Sequence, residues 1–454
     1  MNNYAVNIRE LVVEILLSID KGEEQSHILI KNVLDKYDYL PQADKNFIKR
    51  TVTGTLEWRV RIDYIINQFS KTPVNKMKPL IRNLMRMSVY QIIYMDKVPD
   101  SAVCNEAVKL AGKRGFKGLQ GFVNGVLRSI SRGKDDIKLP DSTSTSAMTA
   151  SDIEVLYSCP KLIVESLISD YGVEQTVEVL KASLTDRGIS VRLDEGLTAS
   201  QVKEIIDDWQ ENGILYEKSD ELSYAYRLKK ADKLFKLDCF INGCCTVQDF
   251  SSMNVCEMAD IKAGDLILDM CAAPGGKSLH AANKLSLAQN NIQIDAMDSK
   301  MGKIGRVISR DLTEYKVSII DENIARVGAD NITAECHDAT VFDTNLENKV
   351  DIVILDVPCS GFGVIGGKPD IKYNISSEGL SSIVELQRKI IDNAVRYVRS
   401  GGSLMYSTCT MRKAENDENV DYILAGGDYE LIEKKQYFIT DKWDGFFIAR
   451  LKKR

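Results

Sequence analysis

Apolar residues in the first third of the chain recur at helical spacing. Ile8, Leu11, Val12, Ile15, Leu16 and Ile19 fall at the i, i+3, i+4 intervals that line one face of an amphipathic helix. The same period predicts helices from about Ala43 to Phe69, Pro79 to Tyr94, Ser101 to Lys113 and Gly121 to Ser131, with no strand pattern between them. It stops at Gly133 to Asp152, where Pro140-Asp141-Ser142-Thr143-Ser144-Thr145-Ser146 reads as a polar linker. From Ile153 to Phe250 helices and short strands mix. The clearest are a strand at Ile189–Leu193 and a helix from Ala199 to Asn212. Beyond Thr246 apolar strands alternate with amphipathic helices, which implies parallel βαβ units covered on both faces. The expected architecture is therefore multidomain: an all-α segment at 1–134, a linker at 135–152, a small α+β domain at 153–250 and an α/β domain at 251–454.

Three of the predicted strands in the last domain run into turns that carry chemistry. Leu266-Ile267-Leu268-Asp269 leads into Met270-Cys271-Ala272-Ala273-Pro274-Gly275-Gly276-Lys277-Ser278, a glycine turn opening a helix. Ile352-Val353-Ile354-Leu355-Asp356 leads to Val357-Pro358-Cys359-Ser360-Gly361, and Leu404-Met405-Tyr406-Ser407-Thr408 leads to Cys409. Open α/β sheets keep their ligands at this carboxyl edge. The glycine turn is not a strict P-loop, because the first glycine of that pattern is replaced by Cys271, and G-x-G-x-x-G is absent. An adenosine-type cofactor remains, and its ribose calls for a carboxylate at the end of the next strand. Two candidates exist. Asp298 follows Ile292-Gln293-Ile294-Asp295-Ala296-Met297, and Asp311 follows Arg306-Val307-Ile308-Ser309; the helix directly after Asp311 favours it.

Composition narrows the chemistry. The 454 residues hold only three histidines, so imidazole acid–base work is not the leading idea, whereas a thiol is intrinsically nucleophilic. A cysteine can add to carbon 6 of a pyrimidine and make carbon 5 able to accept a methyl group, with a second thiol assisting loss of the carbon 5 proton. The ten cysteines show no Cys-x-x-Cys pair, and Cys244-Cys245 has no matching second pair, so no metal site is expected. A reduced, cytoplasmic protein without a membrane partner is the reading, since there is no signal peptide and no apolar run of spanning length. Net charge is −6, yet Lys45 to Lys134 carries 18 Lys and Arg against 5 Asp and Glu. That local surplus is the footprint of a polyanion.

The residues themselves resemble a family. Asp-Met-Cys-Ala-Ala-Pro-Gly-Gly-Lys-Ser, Asp-Val-Pro-Cys-Ser-Gly and Tyr-Ser-Thr-Cys-Thr are similar to the signature motifs of the NOL1/NOP2/Sun RNA cytosine-5 methyltransferases, as are Thr246-Val247-Gln248-Asp249 and Asp444-Gly445-Phe446-Phe447. Gly54-Thr55-Leu56-Glu57-Trp58-Arg59 and Phe122-Val123-Asn124-Gly125-Val126-Leu127-Arg128 resemble the RNA-binding fold of the antitermination factor NusB. The combination is typical of bacterial 16S rRNA methyltransferases. It implies a NusB-like helical domain, a Rossmann-like class I methyltransferase domain, S-adenosyl-L-methionine as cofactor, 16S rRNA as partner and a monomer. By the resemblance Cys409 is the nucleophile and Cys359 assists proton removal. Cys271, Ala272, Ala273, Pro274, Gly275, Gly276 and Lys277 wrap the cofactor, Asp311 holds its ribose, Asp338 lies near the adenine and Asp356 lies between cofactor and base. Departures are Val357 in place of alanine, Gly366-Gly367-Lys368-Pro369-Asp370 where relatives often carry arginines, and an apparent extra loop or hairpin from Leu285 to Gly305. The rival readings are a tRNA substrate and a non-catalytic RNA-binding assembly factor. Intact Cys359, Cys409 and glycine turn speak against the latter.

Overall fold

The computed structural model describes residues 6–22, 24–295 and 304–454, and the chain forms two compact units. The first comprises residues 1–184 together with Ile365–Ser376; the second comprises Thr185–Val364 and Ser377–Arg454.

The first unit is helical: α1 (Ile8–Asp20), α2 (Ser26–Lys36), α3 (Gln42–Glu57), α4 (Arg59–Phe69), α5 (Pro79–Tyr94), α6 (Asp100–Lys113), α7 (Gln120–Arg132), α8 (Ala150–Leu156) and α9 (Lys161–Ser183). α5 is its axis. Ile81, Leu84, Met85, Met87, Val89 and Ile92 are buried, as are the polar Asn83, Arg86, Ser88 and Gln91. A helix buried all round needs partners for its polar groups. Arg86 bonds Asp63 of α4 with Nε and Nη2 at 2.7 and 2.6 Å, and Asn83 donates to Asp20 of α1 at 2.9 Å. Asp20 also takes Arg59 at 3.0 Å and Arg82 at 3.3 Å. These pairs absorb part of the basic surplus, while Lys49, Lys71, Lys76, Lys78, Lys97, Lys117 and Arg128 stand exposed.

The boundary lies later than the expected linker. α8 begins inside it, with Thr149 and Asp152 forming a capping box, and α8 and α9 pack with the first unit. The returning segment Ile365–Ser376 is bonded into the same unit. Asp370 accepts from Ser26 N at 3.0 Å and Ser26 Oγ at 2.5 Å, Lys372 Nζ donates to Glu57 O and Ser158 O at 2.9 Å each, and Tyr373 Oη donates to Leu56 O at 2.7 Å. Thus in Gly366-Gly367-Lys368-Pro369-Asp370, where the sequence departs from the arginines of relatives, Asp370 is buried and structural.

The second unit holds two sheets. Its elements are β1 (Ile189–Leu193), α10 (Ala199–Glu211), β2 (Leu215–Lys218), β3 (Ala225–Lys229), α11 (Asp238–Ile241), β4 (Cys245–Val247), α12 (Phe250–Met258), β5 (Leu266–Asp269), α13 (Gly276–Asp295), β6 (Arg306–Asp311), α14 (Glu314–Val327), β7 (Ile332–Cys336), β8 (Val350–Asp356), α15 (Ser377–Tyr397), β9 (Val398–Thr408), α16 (Asp417–Ala425), β10 (Tyr429–Tyr437) and β11 (Phe446–Lys453). The small antiparallel sheet has the order β2-β3-β1-β4, and the large one β10-β11-β9-β8-β5-β6-β7. β9, β8, β5, β6 and β7 are parallel, with β11 antiparallel to β9 and β10 antiparallel to β11. The large sheet is therefore mixed, where alternation along the sequence implied parallel units alone. β5 sits where the order turns outward in both directions, the switch point at which such sheets place ligands.

One expectation fails in this unit. Ile292–Asp295, read as the start of a strand, is the last turn of α13, so the described part of the extra stretch continues that helix. Asp298 lies outside the described residues.

Candidate active site

The glycine turn follows from the strand before it. β5 stops at Asp269, and Gly275 takes φ +102°, a backbone region that side chains disfavour, so that α13 can start at once. Gly275 N donates to Ala272 O at 2.7 Å and Leu279 N to Gly275 O at 2.9 Å. Gly276 is less constrained, since a Cβ there would meet only Gln248, at 3.8 Å. Asp311 closes the turn from the neighbouring strand. It accepts from Ala273 N at 2.9 Å, Leu312 N at 2.7 Å and Lys316 Nζ at 2.9 Å, while Asn323 Nδ2 donates to Pro274 O at 3.0 Å.

Beneath the turn Asp269 is fully buried, with Oδ2 accepting from Ser278 Oγ at 2.6 Å and Oδ1 without a partner. Burial pushes its carboxyl up to about 7. Burial likewise raises the Cys271 thiol. Lys277, the second residue of α13, reaches Asp356 Oδ2 at 2.6 Å, and Ser407 Oγ donates to Asp356 Oδ1 at 2.9 Å. Burial works against the Lys277 ammonium, but Asp356 outweighs it and the lysine holds its proton more tightly than usual.

Cys359 and Cys409 come from the ends of the adjacent parallel strands β8 and β9, and their Sγ atoms lie 2.9 Å apart. Gly363 N donates to Cys409 O and Gly445 N to Gly363 O, both at 2.9 Å; a Cβ on Gly363 would sit 1.8 Å from Gly445 O. Ser360 Oγ and Thr410 Oγ1 are 2.8 Å apart. The bond to Cys409 and then burial raise the Cys359 thiol well above its ordinary value.

All the predicted site residues are described and lie at the carboxyl ends of β5, β6, β7, β8 and β9. Asp338 is the outlier: it is exposed past β7 and bonded to Thr340 N at 2.8 Å, which lowers its carboxyl. Exposed Leu312 and Val341 lie close in sequence to Asp311 and Asp338. Sequence reasoning missed Ser407 and a buried set behind the thiols, Gln387, Tyr406, Glu415, Asn416 and Asn419. The available signal was the polar run Glu415-Asn416-Asp417-Glu418-Asn419 directly after a catalytic-type turn.

The donor set fits the adenosyl-methionine group that the motifs imply. Amides at the start of α13 are free of intrahelical bonds by geometry, a carboxylate oxygen keeps a second lone pair after one bond, and Leu312 and Val341 offer apolar surface. A different cluster, Glu195, Glu257 and His280, has the arrangement of a metal site, but Lys284 Nζ stands 3.2 Å from Glu195 and 2.7 Å from Glu257 and already supplies the positive charge. Cavities of about 480 and 280 Å³ occur elsewhere in this unit, the first beside Cys239 and Cys244 and the second beside Arg187 and Trp443. Neither reaches the thiols.

Comparison with known proteins agrees over the whole chain. The family model for 16S rRNA methyltransferase RsmB/F matches residues 257–452, and the NusB family model matches residues 6–132. The probable ribosomal RNA small subunit methyltransferase B of Bacillus subtilis (strain 168) is 34% identical over 469 residues, covering 99% of each chain. Its counterpart in Synechocystis sp. is 28% identical, covering 99% of this chain and 100% of the relative. Among solved structures, PH0851 superposes with a TM-score of 0.79 at 20% identity over 100% of both chains. NSun6 from Pyrococcus horikoshii with SFG gives 0.55 at 21% identity over 66% of this chain and 99% of that one.

Proposed function

Since the chain belongs to the ribosomal RNA small subunit methyltransferase B family, we propose that it methylates carbon 5 of a cytosine in 16S rRNA through a covalent Cys409 adduct. The 2.9 Å approach of the two thiols beside the Lys277–Asp356 pair carries this reading. The resemblance to the family assigns the attack to Cys409, which acts as a thiolate because the thiolate is the nucleophile. Cys409 forms a bond to carbon 6, and the displaced electron pair makes carbon 5 nucleophilic. S-adenosylmethionine, when bound, supplies an electrophilic methyl group. Once Cys359 has given its own proton to solvent, its sulfur accepts the carbon 5 proton, the freed C–H electron pair restores the 5,6 double bond, and the Cys409–carbon bond breaks with its electron pair leaving on the Cys409 sulfur. Lys277 and Asp356 stand between the glycine turn and the thiols, where a base edge would meet them. The exposed basic residues of the helical unit would hold RNA phosphates.

Bisulfite mapping of RNA from cells with and without the protein tests the reading. One 16S rRNA cytosine is expected to lose its protection in the deletion strain. Loss confined to a tRNA, or no loss at all, would overturn the rRNA assignment.

A further inference from the structure

The turn that carries Cys359 is held on both sides by side chains that none of the signature motifs contributes. Before the cysteine, Pro358 O accepts from Gln387 Nε2 at 2.9 Å. After it, Ser360 N donates to Glu415 Oε2 at 2.9 Å. The two clamps are themselves joined, because Gln387 Nε2 also reaches Glu415 Oε2 at 3.0 Å. Both peptide groups flanking Cys359 therefore converge on one amide–carboxylate pair.

This pair is buried without exposure and fully engaged. Glu415 and Gln387 are each 0% exposed. Glu415 Oε1 accepts from Arg412 Nη1 at 2.9 Å, and Gln387 Oε1 accepts from Asn419 Nδ2 at 2.8 Å. Asn419 Nδ2 also reaches Tyr406 Oη at 2.9 Å, and Tyr406 Oη donates to Glu415 O at 2.5 Å. Tyr406 lies on β9, which ends at the Cys409 turn, so one network locks both thiol turns together. Glu415 accepts from Ser360 N and Gln387 Nε2 on one oxygen and from Arg412 Nη1 on the other, a set of donors that a neutral amide with its single oxygen cannot all satisfy. Burying an acid here is costly to desolvate and brings negative charge toward the thiols.

We propose that Glu415, oriented by Gln387, is a positioning residue that fixes the Cys359 thiol against Cys409 and in place to assist release of the methylated base. This rests on the two-thiol reading above. The groups facing Cys359 electrostatically are Cys409, Glu415 and Asp356, with Arg412 compensating Glu415 from the far side.

The test uses the full chain, S-adenosylmethionine and unmodified 16S rRNA made in vitro, comparing Gln387→Met, Glu415→Gln and Cys359→Ala. In both clamp variants kcat should fall about ten- to a hundredfold, the scale of loss when a reacting group is misplaced by about 1 Å. KM for RNA and cofactor affinity should stay at wild-type values, and a protein–RNA adduct that survives denaturing electrophoresis should accumulate, as in Cys359→Ala. Glu415→Gln alone should also shift the limb of the pH–rate profile that reports Cys359 to lower pH, because it removes a negative charge facing that thiol. Wild-type turnover in both clamp variants, or lost turnover in step with lost cofactor affinity, would overturn the proposal. If Cys359→Ala traps RNA and neither clamp variant does, the positioning role fails and the two-thiol reading stands. If Cys359→Ala itself traps nothing, both fail.

Discussion

The two units bury charge in opposite ways. In the helical unit Arg86 meets Asp63 through two parallel bonds, and Asp20 gathers Arg59, Arg82 and Asn83; three arginines pair directly with two aspartates, and every one of these partners projects from a helix. At the edge of the large sheet Asp269, Asp356 and Glu415 stand around Lys277 and Arg412, and the groups lie in or beside turns. Direct pairs of this kind fix helices relative to one another. At the sheet edge burial raises Asp269, and the bond to Cys409 and then burial raise Cys359, so both are held above their ordinary values. Perturbed groups gathered at a ligand-binding edge are what a reaction centre requires, whereas the helical pairs are bracing.

The contrast predicts that site residues can be removed with large loss of activity and little loss of fold. Cys409→Ser should abolish methylation and form no adduct, since a hydroxyl lacks the nucleophilicity of a thiol without an adjacent base. Cys359→Ala should still form the adduct through Cys409 but release it slowly. Thermal unfolding of both should match the wild type. If Cys409→Ser traps RNA and Cys359→Ala does not, the roles of the two thiols are exchanged.

Bracing charge should behave the other way. Arg86→Met leaves Asp63 without its two bonds and weakens the charge balance at Asp20, inside a helix that is buried all round. Removing one member of a buried pair typically costs about 3–5 kcal/mol, and the value here should lie near 3 because Asp63 still reaches water. Differential scanning calorimetry should show the loss, while the cofactor affinity of the second unit stays unchanged at temperatures below the transition. Equal stability would mean that the helical pairs are not bracing.

How far such groups can be read from sequence depends on how local their causes are. The bounds of α5 and of β1 match the periodicity at both ends, because burial of a helix face or a strand is written in neighbouring residues. The three motif turns were equally readable, each being one strand followed by its own turn. Ile292–Asp295 misled because a short apolar–polar alternation fits either a strand or a helix end. Gln387 and Glu415 could not be recognised, since a polar residue looks solvated until its partners, distant in sequence, are known. For the same reason a cut at Ile153, suggested by the polar linker, would strip Asp370 and Tyr373 of Ser26 and Leu56 and would not isolate an intact unit.

The smallest expected effect concerns Asp269, where burial of a carboxyl should appear as a pH dependence of stability. Its carboxyl is held at about 7 in the folded protein, against an ordinary value of 3.8, chiefly because burial disfavours the ionised form. The folded state therefore binds this proton more tightly than the unfolded chain does. The resulting stabilisation is complete below pH 3.8 and is lost as pH rises through about 7. Its size is on the order of a few kcal/mol at most. Asp269→Asn keeps an oxygen for Ser278 Oγ but cannot ionise. The melting temperature of the wild type should fall between pH 5 and pH 8 by more than that of the variant, with the curves converging toward acid. Parallel curves across this range would mean that Asp269 is already ionised in the folded state, and that the acid excess at the sheet edge is neutralised by a group other than its proton.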